Sequence, residues 1–176
     1  MGKQISVKSL NDLLCFKNQL NDVLQKSAEN LRNFLSATGA VDAFAAFKYE
    51  KTVFDPLTGN PENLLEMLNQ YQTYLVTIKA AEYLMTTYPQ QSFILRFGNI
   101  PGHDIEATDG SILAECFAQV SYRNNAKLTK DLKKLESATH ATRYVFFYDQ
   151  EYTAKNHKMY QKKYPDIHII KFDNVK

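Results

Sequence analysis

Two carboxylates placed across a tight hairpin are the strongest chemical signal in this sequence. Asp109-Gly110 separates the run Asp104 to Thr108 from the run Ser111 to Val120, and an Asp-Gly pair between two such runs marks a two-residue hairpin loop. With that loop Thr108 faces Ser111, and counting back in register sets Asp104 opposite Glu115. Facing residues have Cβ atoms ~5 Å apart, so two like charges repel unless a cation joins them or one stays protonated. A divalent metal meets that need. Mg²⁺ or Mn²⁺ takes carboxylate oxygens, keeps waters for a phosphate substrate and lowers the pKa of an attacking water. A slip of one residue in register would send the two side chains to opposite faces.

Purely structural roles are open for the same residues. Asp104 can cap a turn after Pro101-Gly102, and Glu115 can pair with Arg96 on the neighbouring strand. His103, His140, His157 and His168 show no spacing that makes a site, so they are assigned surface or packing roles. Cys15 and Cys116 both lie among apolar neighbours and are expected to be buried, reduced thiols. No CxxC or HExxH spacing points to structural zinc. Gly98, Gly102 and Gly110 are isolated and form no phosphate-cradling loop.

The elements that position the pair can be read from periodicity. Ser9 caps a long helix or helix pair with Leu13, Phe16, Leu20, Leu24, Leu31 and Leu35 on one side, closed by Gly39. A short apolar piece from Val41 to Phe47 and a turn at Phe54 to Gly59 follow. Asn60 with Pro61 opens a second long helix, striped by Leu64, Leu68, Tyr71, Leu75 and Ile78 and stopped at Tyr88-Pro89. Phe93 to Phe97 reads as a strand, and after the hairpin a helix starts at Asn124 or Asn125. Leu128, Leu132 and Leu135 form one of its faces, and Lys127, Lys130 and Lys134 another. Tyr144 to Tyr148 is a central strand, 151–163 a lysine-rich helix and Ile167 to Phe172 the last strand. The order predicts an α/β sheet with a helical N-terminal portion.

In this order the chain resembles the restriction-endonuclease-like, or PD-(D/E)XK, nuclease superfamily. The residues that carry the resemblance are His103-Asp104 and, across the hairpin, Glu115-Cys116-Phe117, set in a helix, strand, hairpin, helix, strand sequence over about 92–172. It implies a central mixed sheet flanked by helices, with Asp104 and Glu115 as metal ligands and Glu82 of the preceding helix as a further acidic candidate. Two positions depart from the pattern. His103 stands where the family has proline, and Phe117 stands where it has the lysine that helps activate water or stabilise phosphate charge. Lys127 or Lys130 on the next helix is the candidate replacement; without one, the fold has lost its catalysis.

The chain has 176 residues, 44% of them hydrophobic and 23% charged, which suits one domain over 1–176: a mainly helical portion at 1–88 and a sheet core at 92–172. Its net charge of +2 hides an asymmetry, since 123–176 holds 12 Lys+Arg against 6 Asp+Glu. That basic segment is either a solvated helix face or a surface for phosphate, with Lys127, Lys130 and Lys134 as its contacts to DNA or RNA. Three functions therefore stand open: a metal-dependent nuclease, a noncatalytic relative that binds nucleic acid or protein, and a fold without nucleic acid whose N-terminal helices form a homodimer. No targeting signal and no apolar run near the ~20 residues of a membrane span is present, so a cytoplasmic protein is expected.

Overall fold

A computed structural model gives the structure of the chain over residues 2–174. Its elements are β1 (Lys3–Val7), α1 (Leu10–Ala37), α2 (Ala40–Tyr49), β2 (Val53–Phe54), β3 (Pro61–Glu62), α3 (Leu64–Thr87) and β4 (Phe93–Phe97). Then come β5 (Ile105–Ala107), β6 (Ile112–Gln119), α4 (Lys127–Glu136), β7 (Thr142–Asp149), α5 (Ala154–Lys163) and β8 (Ile167–Phe172). They divide into two compact units, Asn11–Tyr71 and a second one made of Gly2–Leu10 with Gln72 onward. No described helix is long and apolar enough to cross a membrane.

The first unit is built on α1, which is tied to the β2 ribbon by polar side chains. Phe54 N donates to Ser27 Oγ at 3.0 Å, and Asn30 Nδ2 donates to Thr52 O at 2.8 Å. Asp55 Oδ1 accepts from Leu57 N and Thr58 N, the side-chain-closed turn expected before Gly59, whose φ is +70°. The apolar piece Val41 to Phe47 lies within the helix α2. Two expectations change here. Pro61 pairs with Phe54 in a strand, and the cap of α3 is Asn63, whose Oδ1 accepts from Glu66 N at 2.9 Å. Cys15 is exposed, because apolar neighbours in sequence lie on other sides of a helix.

The second unit is a six-stranded mixed sheet flanked by helices, in the order β1-β4-β5-β6-β7-β8. β1, β4, β5 and β6 are antiparallel; β6, β7 and β8 are parallel and cross over through α4 and α5. β6 and β7 are buried on both faces, as their largely apolar runs require, with Glu115 the charged exception in β6. The C-terminal part of α3 covers one face: Tyr83 meets Phe146 edge-on at 5.4 Å, and the Tyr88 and Tyr144 hydroxyls are 2.7 Å apart. Its buried line is Tyr74, Ile78, Ala81 and Met85; of the predicted stripe Ile78 is buried, Leu64, Tyr71 and Leu75 are half-buried and Leu68 is exposed. On the other face Leu128, Leu132 and Leu135 of α4 pack with Leu113, Phe117, Val145 and Phe147. β1 is a further strand of this sheet, and of its five residues only Val7 is buried.

Candidate active site

The hairpin register is the one that the Asp-Gly loop predicts. Ile105 pairs with Ala114 and Glu106 with Leu113, and one further step sets Asp104 beside Glu115. The Cys116 N–H fastens that step by donating to Asp104 Oδ2 at 2.7 Å. Glu115 lies in the middle of β6, 2% exposed, on the face that α4 covers.

What meets Glu115 comes from two directions. His103 Nδ1, in the loop before Asp104, is 2.6 Å from Glu115 Oε1. Lys134 Nζ, reaching in from α4, lies 2.6 Å from the same oxygen and donates to Gly102 O at 2.6 Å. Arg96 does not take Glu115. Its guanidinium binds Glu106 Oε2 at 2.7 Å and the carbonyl of His103 at 3.1 Å. On α4, Lys127 Nζ pairs with Asp131 Oδ1 at 2.7 Å, while Asp131 Oδ2 is buried without a partner among the described residues.

The electrostatics follow from burial. Desolvation, and then the Glu115 charge, push Asp104 up to about 7. Asp131 is raised by burial to about 6, against the pull of Lys127. Burial also works against the Glu115 carboxylate, but the bonds from His103 and Lys134 outweigh it and leave its pKa lowered. Lys127 is likewise opposed by burial, yet its pair with Asp131 holds it above the ordinary lysine range. The Cys116 thiol is pushed far up by burial, which makes it inert as a nucleophile.

The structure thus gathers Asp104, Glu115, Lys127 and Lys134 in one region, joined by His103 and Asp131. Lys130 is exposed and takes no part in these pairs. Glu82 lies on α3, which covers the opposite face of the sheet. His168 stacks on Tyr144 at 4.7 Å and His157 meets Tyr152 edge-on at 6.3 Å, so both pack as expected. His103, expected in an ordinary surface or packing role, instead holds Glu115. Phe117 stacks on Phe147 with ring centroids 5.2 Å apart, deep in the core. The signal for Asp131 and Lys134 is their spacing: Lys127, Asp131 and Lys134 stand at i, i+4 and i+7 of one helix, on one side.

Two oxygens bear on metal binding. Asp104 Oδ1 and Glu115 Oε2 accept no hydrogen bond among the described residues, and neither is among the sealed, unpartnered atoms. The pair can offer a hard cation one carboxylate oxygen each, which suits Mg²⁺ with its shell of waters. No group of three or more His, Cys, Asp or Glu among the described residues is arranged to hold an ion, so water and substrate would complete the coordination. No family model, curated protein or solved structure matches this chain.

Proposed function

We propose that this protein is a divalent-metal-dependent nuclease of the restriction-endonuclease-like kind, acting on the phosphodiester bonds of DNA or RNA. The observation that carries the reading is the 2.6 Å contact between Lys134 Nζ and Glu115 Oε1. It sets an ammonium beside the candidate metal carboxylate, where Phe117 cannot supply one. The order α3, β4, β5, β6, α4, β7 supports the same reading, with a hairpin, then a crossover helix, then a parallel strand.

Asp104 and Glu115 would hold Mg²⁺ or Mn²⁺, which lowers the pKa of a bound water and neutralises charge developing on phosphate. His103 orients Glu115 by its bond to Oε1, leaving Oε2 for the ion. Lys134 carries the positive charge that a phosphoryl group needs nearby as it is transferred. Lys127 balances Asp131 and lowers the cost of ionising Asp104.

One feature favours a second reading. Glu115 Oε1 already meets two basic groups, a self-contained cluster that stands without metal. That suits a noncatalytic relative that binds nucleic acid or a protein partner. Cleavage assays on linear, nicked, branched and single-stranded DNA and on RNA separate the two. The nuclease requires Mg²⁺ or Mn²⁺, is silenced by EDTA, and loses about 10²–10³ in rate on Asp104→Ala, Glu115→Ala or Lys134→Gln. Metal-dependent cleavage that survives both carboxylate changes would refute the site. An inert wild type on every substrate would leave the binding module.

A further inference from the structure

Two of the three lysines expected to meet phosphate are committed elsewhere. Lys127 pairs with Asp131 and Lys134 with Glu115, inside the candidate site. A denser group of uncommitted lysines lies on α5. That helix carries Lys155, Lys158, Lys162 and Lys163 and no acidic residue, and all four lysines are exposed.

Their spacing makes a line. Lys155, Lys158 and Lys162 recur at i, i+3 and i+7, with Lys163 alongside, over about 10 Å of helix axis. None of the four makes an ion pair with a described residue; Lys163 Nζ sits only over the Tyr164 ring, 5.4 Å from its centroid. Like charges at such spacing repel along a helix, so this face gains when an anion of matching spacing covers it. The helix itself is well fixed. Thr153 and Asn156 close its N-terminus in a reciprocal capping box, and Asn156 Nδ2 donates to Tyr122 Oη at 2.8 Å. At its first turn it borders an open groove of about 400 Å³ lined in part by Thr153, His157 and Lys171.

We propose that the outer face of α5 is the track along which a nucleic-acid backbone lies, with its phosphates on Lys155, Lys158, Lys162 and Lys163. The inference rests on the nucleic-acid part of the reading above and is independent of cleavage. A lipid surface fits less well. An interfacial helix needs a broad apolar face to sink among acyl chains, and here Met159 is the one large apolar side chain exposed on α5. α4 and α5 cover the same face of the sheet as Glu115, so a polymer on α5 runs on the side of the candidate site.

The test uses the full chain in EDTA, with fluorescence anisotropy of labelled double- and single-stranded oligonucleotides over a salt titration. The variant Lys155→Gln/Lys158→Gln/Lys162→Gln/Lys163→Gln should bind at least ~10-fold more weakly than wild type. The slope of log affinity against log salt should fall by about 0.9 for each duplex phosphate that the variant no longer neutralises. Glutamine keeps helix propensity, and the double variant Lys158→Gln/Lys162→Gln, showing about half the slope change, covers the case where the quadruple variant misfolds. Affinity and slope equal to wild type in a folded variant would overturn the proposal. So would binding to phosphatidylserine vesicles with none to either oligonucleotide. Salt-dependent binding that disappears with the α5 lysines, in a wild type that cuts nothing, upholds the track and removes only the nuclease.

Discussion

The backbone N–H of Cys116 donates to Asp104 Oδ2 over 2.7 Å, so the two strands are joined by a side chain at the point where their ladder ends. The bond belongs to the carboxylate, and it leaves Asp104 Oδ1 available. Replacing Asp104 therefore removes a candidate metal ligand and frees a backbone donor at once. Asp104→Asn keeps an acceptor for Cys116 and is the cleaner change for a metal-binding titration: Mn²⁺ affinity should fall about tenfold or more while the urea midpoint stays close to wild type.

The pH dependence of stability has a sign fixed by burial. Asp104 and Asp131 are raised to about 7 and about 6. Their protonated forms are therefore favoured by folding, and that contribution is complete below the ordinary carboxylate range near pH 4. It is lost as pH climbs to about 6 and then 7, because the unfolded chain binds fewer protons there than the folded one. Glu115, with its pKa lowered, acts in the opposite sense as pH falls. Urea unfolding in EDTA should show wild type losing ground to Asp131→Asn between about pH 4 and pH 6. A difference that does not change over that window would contradict the raised pKa.

Placing a lysine at position 117 should fail. Phe117 is 2% exposed and stacked on Phe147, so Phe117→Lys would bury an unpaired ammonium and vacate an aromatic site. Truncation alone, as Phe117→Ala, costs about 3–5 kcal/mol, and the lysine should cost no less. Thermal denaturation should find Phe117→Lys unfolded or lowered by about 10 °C or more, at roughly 2–4 °C per kcal/mol in a chain of this size. A stable, more active Phe117→Lys would show that the core tolerates what its packing argues against.

Gly102 holds the loop that presents His103. Its φ is +115°, and a Cβ there would stand 3.1 Å from the Arg96 guanidinium. Its carbonyl also receives Lys134. Gly102→Ala is expected to destabilise by about 1 kcal/mol or more and to loosen both bonds to Glu115. The short His103–Glu115 contact should give the wild type a downfield ring N–H signal in the NMR spectrum, and its disappearance in Gly102→Ala beside otherwise native resonances would register that loosening.

α5 has no buried residue, so its ends matter more than its packing. Thr153→Ala removes the hydroxyl that accepts from Asn156 N and should cost about 1 kcal/mol. Amide exchange within α5 should then speed up while β7 and β8 stay protected. Uniform acceleration across the sheet would mean that the helix and strands open together.

Much of the sheet is legible because its signals are local. Asp109-Gly110 dictates a register that brings Asp104 to Glu115, and β8 is bounded correctly from its own residues. What escapes depends on partners distant in sequence. β1 alternates over only four residues, Gln4-Ile5-Ser6-Val7, too short a run to stand out, and is held as a strand by pairing with Phe93–Phe97. Asn60-Pro61 looks like a helix start, but Pro61 closes against Phe54 and the helix waits for Asn63. Within the site, the choice of Lys134 over Lys127 turns on Asp131, which captures the nearer lysine on its own helix. Periodicity places all three on one side and cannot rank them.

The pairing of β1 with β4 sets an order of assembly during synthesis. Lys3–Val7 is synthesised before α1, α2 and α3, yet its partner Phe93–Phe97 is made only after them. At about 5–20 residues per second the wait is about 4–20 s. Throughout it Ile5 and Val7 have no strand to join, so the seam between β1 and β4 closes only once the three helices between them have been made.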